Sequence, residues 1–288
     1  MTPRVLVVGS GFGGFFAARR LSGAGVDLTV LSGTDGFLYQ PLLPDVAVGT
    51  LDPRSAVVPL ASTLRGARIV RGAATGVDLK ANTLAYTDIE GETQVLSYDR
   101  LLLAPGSVTR LLDIPGLADH AIGLKTVTEA LYLRDHLLRR LESASALADP
   151  ARRRAALTFL VVGAGYAGVE LTAQMARLTA NLLPLYPALN SEDPHWLLVD
   201  LAKAVMPELG SRLGQSAMQL LQQRRVDVRM GVSVTEATAT QVTLTDGTAL
   251  DCSTLIWCAG VTASPLIATL GLPSTKGRLN VDDYLRVP

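Results

Sequence analysis

Two stretches of the chain share one pattern of apolar and polar positions. Each begins with a continuous apolar run, at residues 5–8 and 159–162, and continues with an amphipathic helical pattern, at residues 15–21 and 169–178. A short apolar run without alternation is typical of a strand that is buried on both faces of a parallel sheet. The pattern therefore predicts two separate strand–turn–helix units.

The turn in each unit has the spacing G-x-G-x-x-G. The first glycine makes a tight turn, the second lets the backbone approach a pyrophosphate, and the third lets the helix pack closely on the strand. The pyrophosphate meets the helix N-terminus, where unpaired N–H groups favour negative charge. The glycines are Gly9, Gly11 and Gly14 in the first fingerprint and Gly163, Gly165 and Gly168 in the second. One such match can reflect packing alone, but two with the same flanks predict two dinucleotide sites.

A second signal recurs at the same spacing as the fingerprints. Gly9 and Gly163 are 154 residues apart (163 − 9), and so are Gly106 and Gly260 (260 − 106), which end an A-P-G and a C-A-G turn. Residues 77–103 and 232–256 alternate in polarity, with turns near 80–82, 89–92 and 246–247, and each predicts a β-meander. The predicted fold class is α/β, with two Rossmann-like dinucleotide-binding domains that each carry an inserted β-meander.

The rest of the pattern predicts the second strand of each domain, a capped helix and the connections between them. Residues 26–31 and 196–199 predict the second strand of each domain. Thr126 and Glu129 have the spacing of a capping box, which predicts a helix start. Residues 144–151 indicate a linker, and residues 152–154 a solvated basic approach to the next strand rather than an anion site. The apolar residues expected to face the core from the capped helix are Leu131, Leu137, Leu138 and Leu141.

Composition narrows the function classes. The chain has 288 residues, a formal net charge of +0 and 48% hydrophobic residues, which is enough for two globular domains. Net neutrality argues against a nucleic-acid binder. With two cysteines and three histidines, neither a disulfide scaffold nor a metal site is expected. No signal peptide is indicated, and the uncharged residues 5–18 are too short to span a bilayer.

These features resemble the two-dinucleotide-domain flavoproteins, and within them the type II NADH:quinone oxidoreductases. Residues 37–51 (F-L-Y-Q-P-L-L-P-D-V-A-V-G-T-L) resemble the flavin-side loop of that family, although such an apolar loop could also be a buried connection. Residues 163–171 resemble its NADH motif, and residues 255–266 its W-x-A-G-V segment. The resemblance implies that residues 1–118 and 263–288 form an FAD-binding domain and that residues 119–262 form an NADH-binding domain.

The resemblance also implies which residues contact the cofactors FAD and NADH. Gln40 and Glu170 are expected to be catalytic, with Glu170 beside the nicotinamide and flavin, where a carboxylate could carry protons. A carboxylate that complements the helix dipole is the alternative for Glu170, and a core position is the alternative for Tyr39. The full set of implied cofactor contacts is Gly9, Gly11, Phe12, Gly13, Gly14, Ser32, Tyr39, Gln40, Pro41, Val77, Ala104, Pro105, Gly106, Gly163, Gly165, Tyr166, Ala167, Gly168, Glu170, Asp200, Ala259 and Gly260.

The second nucleotide site has the clearer ribose signal. Asp200 ends the second strand of its domain, where a carboxylate accepts hydrogen bonds from the ribose 2′-hydroxyl and repels a 2′-phosphate. This favours NADH over NADPH, with an N-cap or solvated Asp as the alternative. In the first domain the corresponding acid is replaced by Ser32, with Asp35 as a possible substitute.

Other departures from the family concern the chain end and the turns. Pro105 stands where the family has Thr, and the chain ends before the second FAD motif, the quinone-site A-Q motif and the amphipathic helices of the family. We therefore expect an incomplete member whose peripheral contact, at the cytoplasmic face of a membrane, depends on that further segment. The present chain alone would be soluble, and a homodimer is compatible with the resemblance.

The expected reaction passes hydride from NADH to the flavin and two electrons on to a quinone. The first domain lacks the C-x-x-x-x-C pair of the disulfide reductases, so Cys252 and Cys258 are interpreted as structural. Three alternatives remain: an NADH-dependent ferredoxin or rubredoxin reductase, a non-enzymatic flavoprotein that senses NADH, and a fragment that is inactive because half of the FAD site is absent.

Overall fold

Two units make up the protein, and a computed structural model describes residues 2–287 of it. Unit 1 consists of Met1–Tyr39, Arg54–Val108 and Val261–Pro288, and unit 2 of Gln40–Pro53 and Thr109–Gly260. The sequence analysis assigned residues 40–53 to the first domain, whereas their contacts in the structure place them in unit 2. Which cofactor each unit binds stays a prediction.

The predicted strand–turn–helix units, meanders and capped helix follow one another in the expected order, and further short helices and strands lie between them. The helices are α1 (Phe12–Leu21), α2 (Leu43–Ala47), α3 (Leu60–Thr63), α4 (Leu117–His120), α5 (Val127–Ser145), α6 (Pro150–Ala156), α7 (Tyr166–Leu182) and α8 (Gly210–Gln223). The strands up to the second fingerprint are β1 (Arg4–Val8), β2 (Asp27–Ser32), β3 (Gly36–Leu38), β4 (Val57–Pro59), β5 (Arg68–Asp78), β6 (Thr83–Asp88), β7 (Thr93–Ser97), β8 (Arg100–Leu103), β9 (Ser107–Thr109), β10 (Ala121–Ile122) and β11 (Thr158–Val162). The later strands are β12 (His195–Asp200), β13 (Val226–Met230), β14 (Val234–Ala237), β15 (Gln241–Leu244), β16 (Ala249–Asp251), β17 (Thr254–Trp257), β18 (Val261–Ala263), β19 (Ser274–Thr275) and β20 (Arg278–Leu279).

Unit 1 is built on a six-stranded sheet in the order β7-β6-β5-β2-β1-β8. Strands β2, β1 and β8 pair in parallel, and β5 pairs in parallel with β2 before it continues into an antiparallel meander with β6 and β7. Leu6 and Val8 pack into a core on one face of the sheet, while Val7 packs with Phe15 and Val30 on the other. Burial on both faces explains why the strand reads as an unbroken apolar run.

Unit 2 is built on a parallel sheet in the order β10-β17-β11-β12-β13, with a separate meander β14-β15-β16. The turn between β15 and β16 contains Gly247, whose φ of +83° suits glycine. Phe159 and Trp196 stack on neighbouring strands with ring centroids 4.4 Å apart, and Trp257 is 1% exposed. The meander predicted in residues 232–256 is confirmed for β14, β15 and β16, but its last residues lie in β17, which pairs in parallel with β11 instead.

The first predicted meander was partly wrong. The turns at residues 80–82 and 89–92 lie where predicted, but the meander begins within β5, upstream of residue 77. Strand β8 does not join it, because β8 pairs in parallel with β1, from Val5↔Arg100 to Val8↔Leu103. Alternation along a sequence shows that a strand is half-buried, but it does not show which neighbour the strand pairs with.

The capping box is confirmed, and one core residue of its helix was wrong. The Thr126 hydroxyl accepts from the Glu129 N–H at 3.1 Å, and the Glu129 carboxylate accepts from the Thr126 N–H at 2.8 Å. Leu137 and Leu141 are fully buried and Leu138 is half-buried, but Leu131 is 36% exposed. Leu133 takes the core position instead, because it lies four residues before Leu137, which in turn lies four residues before Leu141, so that all three share one face of the helix.

Two connecting segments are more regular than the sequence indicated. The apolar loop predicted at residues 37–51 contains most of β3 and all of α2, and the predicted linker at residues 144–151 is half helical, since only residues 146–149 lie between α5 and α6. Asp149 caps α6 by accepting from the Ala151 N–H at 2.9 Å. Residues 152–154 therefore lie on a helix, where Arg153 donates to the Leu147 carbonyl at 2.8 Å. Short helices of this kind lack the length that makes a periodic signal visible.

Candidate functional site

The first fingerprint joins β1 to α1 through a turn that requires glycine. Gly9 has a φ of +97°, and its N–H donates to the Leu31 carbonyl at 2.8 Å. A methyl group on Gly14 would overlap the Gly9 carbonyl oxygen, so the third glycine lets the helix approach the strand. Gly11 is the N-cap of α1, which begins at Phe12 rather than at the predicted residue 15.

The second fingerprint repeats this geometry in unit 2. Gly163 has a φ of +115°, and its N–H donates to the Val199 carbonyl at 2.8 Å. A methyl group on Gly168 would overlap the Gly163 carbonyl oxygen. Gly165 is the N-cap of α7, which begins at Tyr166. The two turns therefore serve the same purpose with the same three glycines.

The middle glycine of each fingerprint differs from the other two in its surroundings. A Cβ built on Gly11 or Gly165 meets nothing within 4 Å, although both residues have ordinary negative φ values. Neither the packing nor the backbone of the protein thus explains why these residues are glycine. A backbone left open at the N-terminus of a helix fits a dinucleotide pyrophosphate.

The A-P-G and C-A-G turns both lie against a fingerprint. A side chain on Gly9 would collide with the Ala104 carbonyl, and one on Gly163 would collide with the backbone of Cys258 and Ala259. Gly106 and Gly260, which end the turns, have φ values of +74° and +81°. The repeated spacing found in the sequence thus corresponds to a repeated contact. Pro105, which stands in place of the Thr of the family, lies in the first of these turns.

The last residue of the second strand differs in charge between the units. Asp200 follows Val199 as Ser32 follows Leu31, so the two residues occupy equivalent positions. The Asp200 carboxylate accepts from the Ala164 N–H at 2.6 Å and from the Ala202 N–H at 2.7 Å. It therefore braces the fingerprint turn, and its remaining lone pairs are suited to a ribose hydroxyl.

Hydroxyl groups replace the carboxylate in unit 1. The Ser32 hydroxyl lies 2.6 Å from the Ser10 hydroxyl and donates to the Thr34 carbonyl at 2.7 Å. Ser32 is 2% exposed and Ser10 is 8% exposed. Asp35, the substitute considered from the sequence, is exposed in the turn before β3. Sequence reasoning missed Ser10, although its position inside the fingerprint could have indicated it.

Aromatic rings surround the start of α1. Phe12 packs edge-on against Phe37 at 5.0 Å and against Tyr39 at 5.4 Å between ring centroids. Phe37 is buried, but Phe12 and Tyr39 are each 44% exposed. Tyr39 is thus only partly a core residue, and a substantial part of its ring remains available to a ligand. Gly13 contributes no side chain here, and a Cβ on it would contact Ala104 at 3.6 Å.

The segment that follows Tyr39 packs within unit 2. Gln40 donates from Nε2 to the Lys125 carbonyl at 3.3 Å, and Pro41 lies in a short 3-10 turn before α2. Helix α2 packs against α5 and α7. The Gln174 side chain on α7 donates to the Asp45 carboxylate on α2 at 3.0 Å. Sequence reasoning missed this contact, because nothing in the spacing of residues 45 and 174 indicates that they meet.

Glu170 lies one helical turn before Gln174 on α7. The residue is solvent-accessible, yet partial burial of its carboxyl raises the pKa, and the nearby Asp45 carboxylate raises it further. Both effects disfavour the ionised form. Glu170 is therefore easier to protonate than an ordinary glutamate, a property that suits a proton carrier.

We expect Asp45→Asn to lower the pKa of Glu170. Asparagine keeps an oxygen that can accept from Gln174 and removes the charge that opposes ionisation of Glu170. Carboxyl ¹³C shifts of labelled glutamate, followed through a pH titration and assigned with Glu170→Gln, measure the change. A process that requires protonated Glu170 would then fail at a lower pH than in the parent protein. A Glu170 titration curve that coincides in both proteins would contradict the coupling.

The positions of the remaining candidate residues, Tyr166, Ala167 and Val77, do not by themselves indicate a ligand contact. Tyr166 and Ala167 are exposed in the first turn of α7. Val77 pairs with Leu84 in the meander and packs against the core of unit 1. Within residues 2–287 no three His, Cys, Asp or Glu side chains come together in a way that could hold a metal ion. Across the same residues, no helix is long and apolar enough to cross a membrane.

The two cysteines are free, Cys252 is buried and Cys258 is partly buried. Burial raises the pKa of the Cys252 thiol to about 11 and that of the Cys258 thiol to about 12. The thiolate is the reactive form of cysteine, so neither residue is suited to a redox role at neutral pH. The interpretation of both as structural agrees with this geometry.

The chain contains two dinucleotide folds, each with a glycine at a helix N-terminus whose surroundings would leave room for a side chain. This is the architecture of oxidoreductases that bind two dinucleotides. Residues 3–288 match the family described as pyridine nucleotide-disulphide oxidoreductase. The chain belongs to this family.

Comparison with individual proteins shows which members of the family the chain is similar to. The chain is 36% identical to the type II NADH:quinone oxidoreductase Ndh of Mycobacterium tuberculosis, over 99% of this chain and 64% of that protein. It is 35% identical to the NdhA protein of the same organism, over 91% of this chain and 57% of that protein. It thus spans about three fifths of the length of these relatives. The resemblance to type II NADH:quinone oxidoreductases is confirmed.

Solved structures agree on the fold. A structure of NDH2 from Plasmodium falciparum in complex with NADH matches with a TM-score of 0.89 at 22% identity, over 93% of this chain and 57% of that chain. The putidaredoxin reductase of a covalent complex with putidaredoxin matches with a TM-score of 0.75 at 22% identity, over 99% of this chain and 64% of that chain. The predicted α/β architecture is confirmed.

Proposed function

We propose that the protein is a type II NADH:quinone oxidoreductase, which takes hydride from NADH onto FAD and passes two electrons to a quinone. The observation that carries the proposal is the pair of open glycines, Gly11 and Gly165, each at the N-terminus of a helix. The names of the relatives support the choice of NADH and quinone. Contact with the cytoplasmic face of a membrane belongs to the same proposal.

Each part of the site has a role in this proposal. In unit 1, the N-terminus of α1 at Gly11 holds the FAD pyrophosphate, and Tyr39 lies against the flavin. In unit 2, the N-terminus of α7 at Gly165 holds the NADH pyrophosphate, and Asp200 accepts from the adenosine ribose. Both helix termini favour the negative charge of a pyrophosphate.

The chain positions the cofactors, and the bound cofactors supply the redox chemistry. Glu170 holds or releases a proton at its carboxyl group, in keeping with the raised pKa that burial and Asp45 produce. Gln40 and Pro41 lie in the segment that leads into α2, and we assign them to the flavin side of the site. No side chain is required to act as a nucleophile.

The test is a titration of the FAD-loaded protein with NADH in the absence of oxygen, followed by injection of a soluble quinone. The expected result is that NADH bleaches the flavin absorbance, that NADPH does so poorly, and that quinone restores the absorbance rapidly. Failure to bind FAD, or bleaching without recovery by quinone, would contradict the proposal.

The same experiment separates the two rivals. Rapid recovery with an oxidised ferredoxin or rubredoxin, and not with quinone, would favour a reductase for those electron acceptors, since the chain shares the fold of a ferredoxin reductase. Slow recovery with every acceptor, together with long-wavelength absorbance of a charge-transfer complex, would favour a flavoprotein that senses NADH.

A further inference from the structure

The two units differ in charge at the adenosine end of the nucleotide site. In unit 2, Asp200 at the end of β12 pairs with Met230 on β13. In unit 1, the equivalent Ser32 at the end of β2 pairs with Arg71 on β5. An anion beside an apolar residue in one unit thus corresponds to a hydroxyl beside a cation in the other. The residue at this strand end is the one that meets the adenosine ribose in dinucleotide folds.

Arg71 is held at this position by one side of its guanidinium group. Nη2 donates to the Gly33 carbonyl at 3.2 Å, directly after Ser32. This contact fixes the side chain at the carboxyl end of the parallel strands. Because the guanidinium is planar and carries five N–H donors in a fixed arrangement, holding one edge also directs the remaining donors.

One donor of Arg71 is buried without a partner. Among residues 2–287, three buried side-chain polar atoms have no hydrogen-bond partner: Arg71 Nε, Tyr98 Oη and Arg140 Nε. Of these, the Arg71 atom is the one next to the strand end that follows the first fingerprint. A buried N–H without an acceptor is costly, and a native structure usually has a reason for it. An acceptor provided by a bound ligand is such a reason.

The neighbouring hydroxyls complete a site for the same kind of ligand. Ser10, Ser32 and Thr34 form a connected set, with Oγ atoms 2.6 Å apart between Ser10 and Ser32 and 3.5 Å apart between Ser10 and Thr34. No carboxylate takes part in this set. Hydroxyl groups and a guanidinium group both pair with ribose oxygens, and a guanidinium group also pairs with phosphate.

We propose that Arg71, together with the hydroxyls of Ser10, Ser32 and Thr34, binds the adenosine ribose in the first nucleotide site, in place of the acid that normally does so. This inference rests on the proposed function, which assigns that site to FAD. In unit 1 the ribose is recognised by the Arg71 guanidinium as a donor, and the hydroxyls, whose hydrogens are already donated to Ser32 and to the carbonyls of Thr34 and Gly36, serve as acceptors, whereas in unit 2 Asp200 recognises its ribose with a charged acceptor. A 2′-phosphate on the ribose is therefore attracted by unit 1 and repelled by unit 2.

The first test compares FAD binding by the parent protein, Arg71→Met and Arg71→Lys, measured by isothermal titration. Methionine keeps an unbranched side chain of similar reach and removes the charge and the donors. We expect the dissociation constant to rise at least about tenfold in Arg71→Met, which corresponds to one lost hydrogen bond to a charged group. Arg71→Lys should fall in between, because it keeps the charge without the planar group. Arg68→Met is the matched control, since Arg68 is exposed on the same strand.

The second test compares two competing ligands. ADP-ribose and 2′-phospho-ADP-ribose are each used to displace FAD from the parent protein, which reports on the first site alone. We expect the 2′-phosphate to strengthen displacement at least about tenfold, and Arg71→Met to abolish the difference. A role of Arg71 that is limited to holding Gly33 in place would not alter the discrimination between these two ligands.

The possible failures are distinguishable. A parent protein that does not bind FAD at all contradicts the proposed function and, with it, the assignment of Arg71. Equal FAD binding by the parent protein and Arg71→Met overturns the inference and leaves the proposed function intact. Weaker displacement by the 2′-phosphorylated ligand also overturns it, because that result requires an anionic ribose site.

Discussion

Gly165→Ala should abolish tight NADH binding without destabilising the protein, whereas Gly168→Ala, three residues further on, should destabilise it. A methyl group on Gly165 meets nothing within 4 Å, and the φ of −80° suits alanine. A methyl group on Gly168 would overlap the Gly163 carbonyl oxygen. The same small substitution thus tests two different roles of the fingerprint, one toward the ligand and one toward the fold.

The expected magnitudes separate the two variants. Crowding of the pyrophosphate by a methyl group should raise the dissociation constant of NADH by about 10- to 100-fold, or about 1.4–3 kcal/mol. The melting temperature of Gly165→Ala should stay within about 2 °C of the parent value. Gly168→Ala should cost about 3 kcal/mol or more, because backbone atoms cannot move away as a flexible side chain can, and should lower the melting temperature by about 10 °C.

Thermal unfolding and calorimetric titration with NADH measure both properties. Gly11→Ala is the matched control, since a Cβ there also meets nothing within 4 Å, but in the first fingerprint. It should weaken FAD binding and leave NADH binding to unit 2 largely unchanged. Undiminished NADH binding by Gly165→Ala would show that this glycine does not face the pyrophosphate.

Asp200→Asn should remove most of the discrimination between NADH and NADPH. The Asp200 carboxylate ends β12 and already accepts from the Ala164 and Ala202 N–H groups. Its charge strengthens a hydrogen bond from a ribose hydroxyl and opposes a 2′-phosphate. Loss of a charged hydrogen bond, together with relief of like-charge repulsion, should reduce the preference for NADH by about 100-fold, or about 3 kcal/mol.

The measurement is the ratio of dissociation constants for NADH and NADPH in each protein. Because asparagine offers one acceptor oxygen where aspartate offers two, some loss of stability is also expected, about 1 kcal/mol. Asp251→Asn, an exposed change in the same unit, serves as the control. A preference that survives in Asp200→Asn would mean that the carboxylate serves only to brace the fingerprint turn.

Sequence alone determined the parts of the protein that depend on local geometry. The tight turns at Gly9 and Gly163, the close approach at Gly14 and Gly168, and the capped start of α5 follow from short-range sterics and hydrogen bonds. Such constraints allow few residue types, so they leave a visible signal in the chain. The repeated 154-residue spacing added the evidence that one fold occurs twice.

The tertiary structure decided which distant residues meet. Strand β8 pairs with β1 instead of the meander because sheet order depends on packing across the whole unit, and alternation does not encode it. Asp45 reaches Gln174, and Arg71 reaches the end of β2, through contacts 129 and 38 residues apart along the chain. Polar side chains at such separations leave no periodic trace, because only the folded backbone sets the distance between them. Fold class, fingerprints and the Asp200 carboxylate were therefore available from the sequence, whereas the contacts of Asp45 with Gln174 and of Arg71 with the end of β2 required the structure.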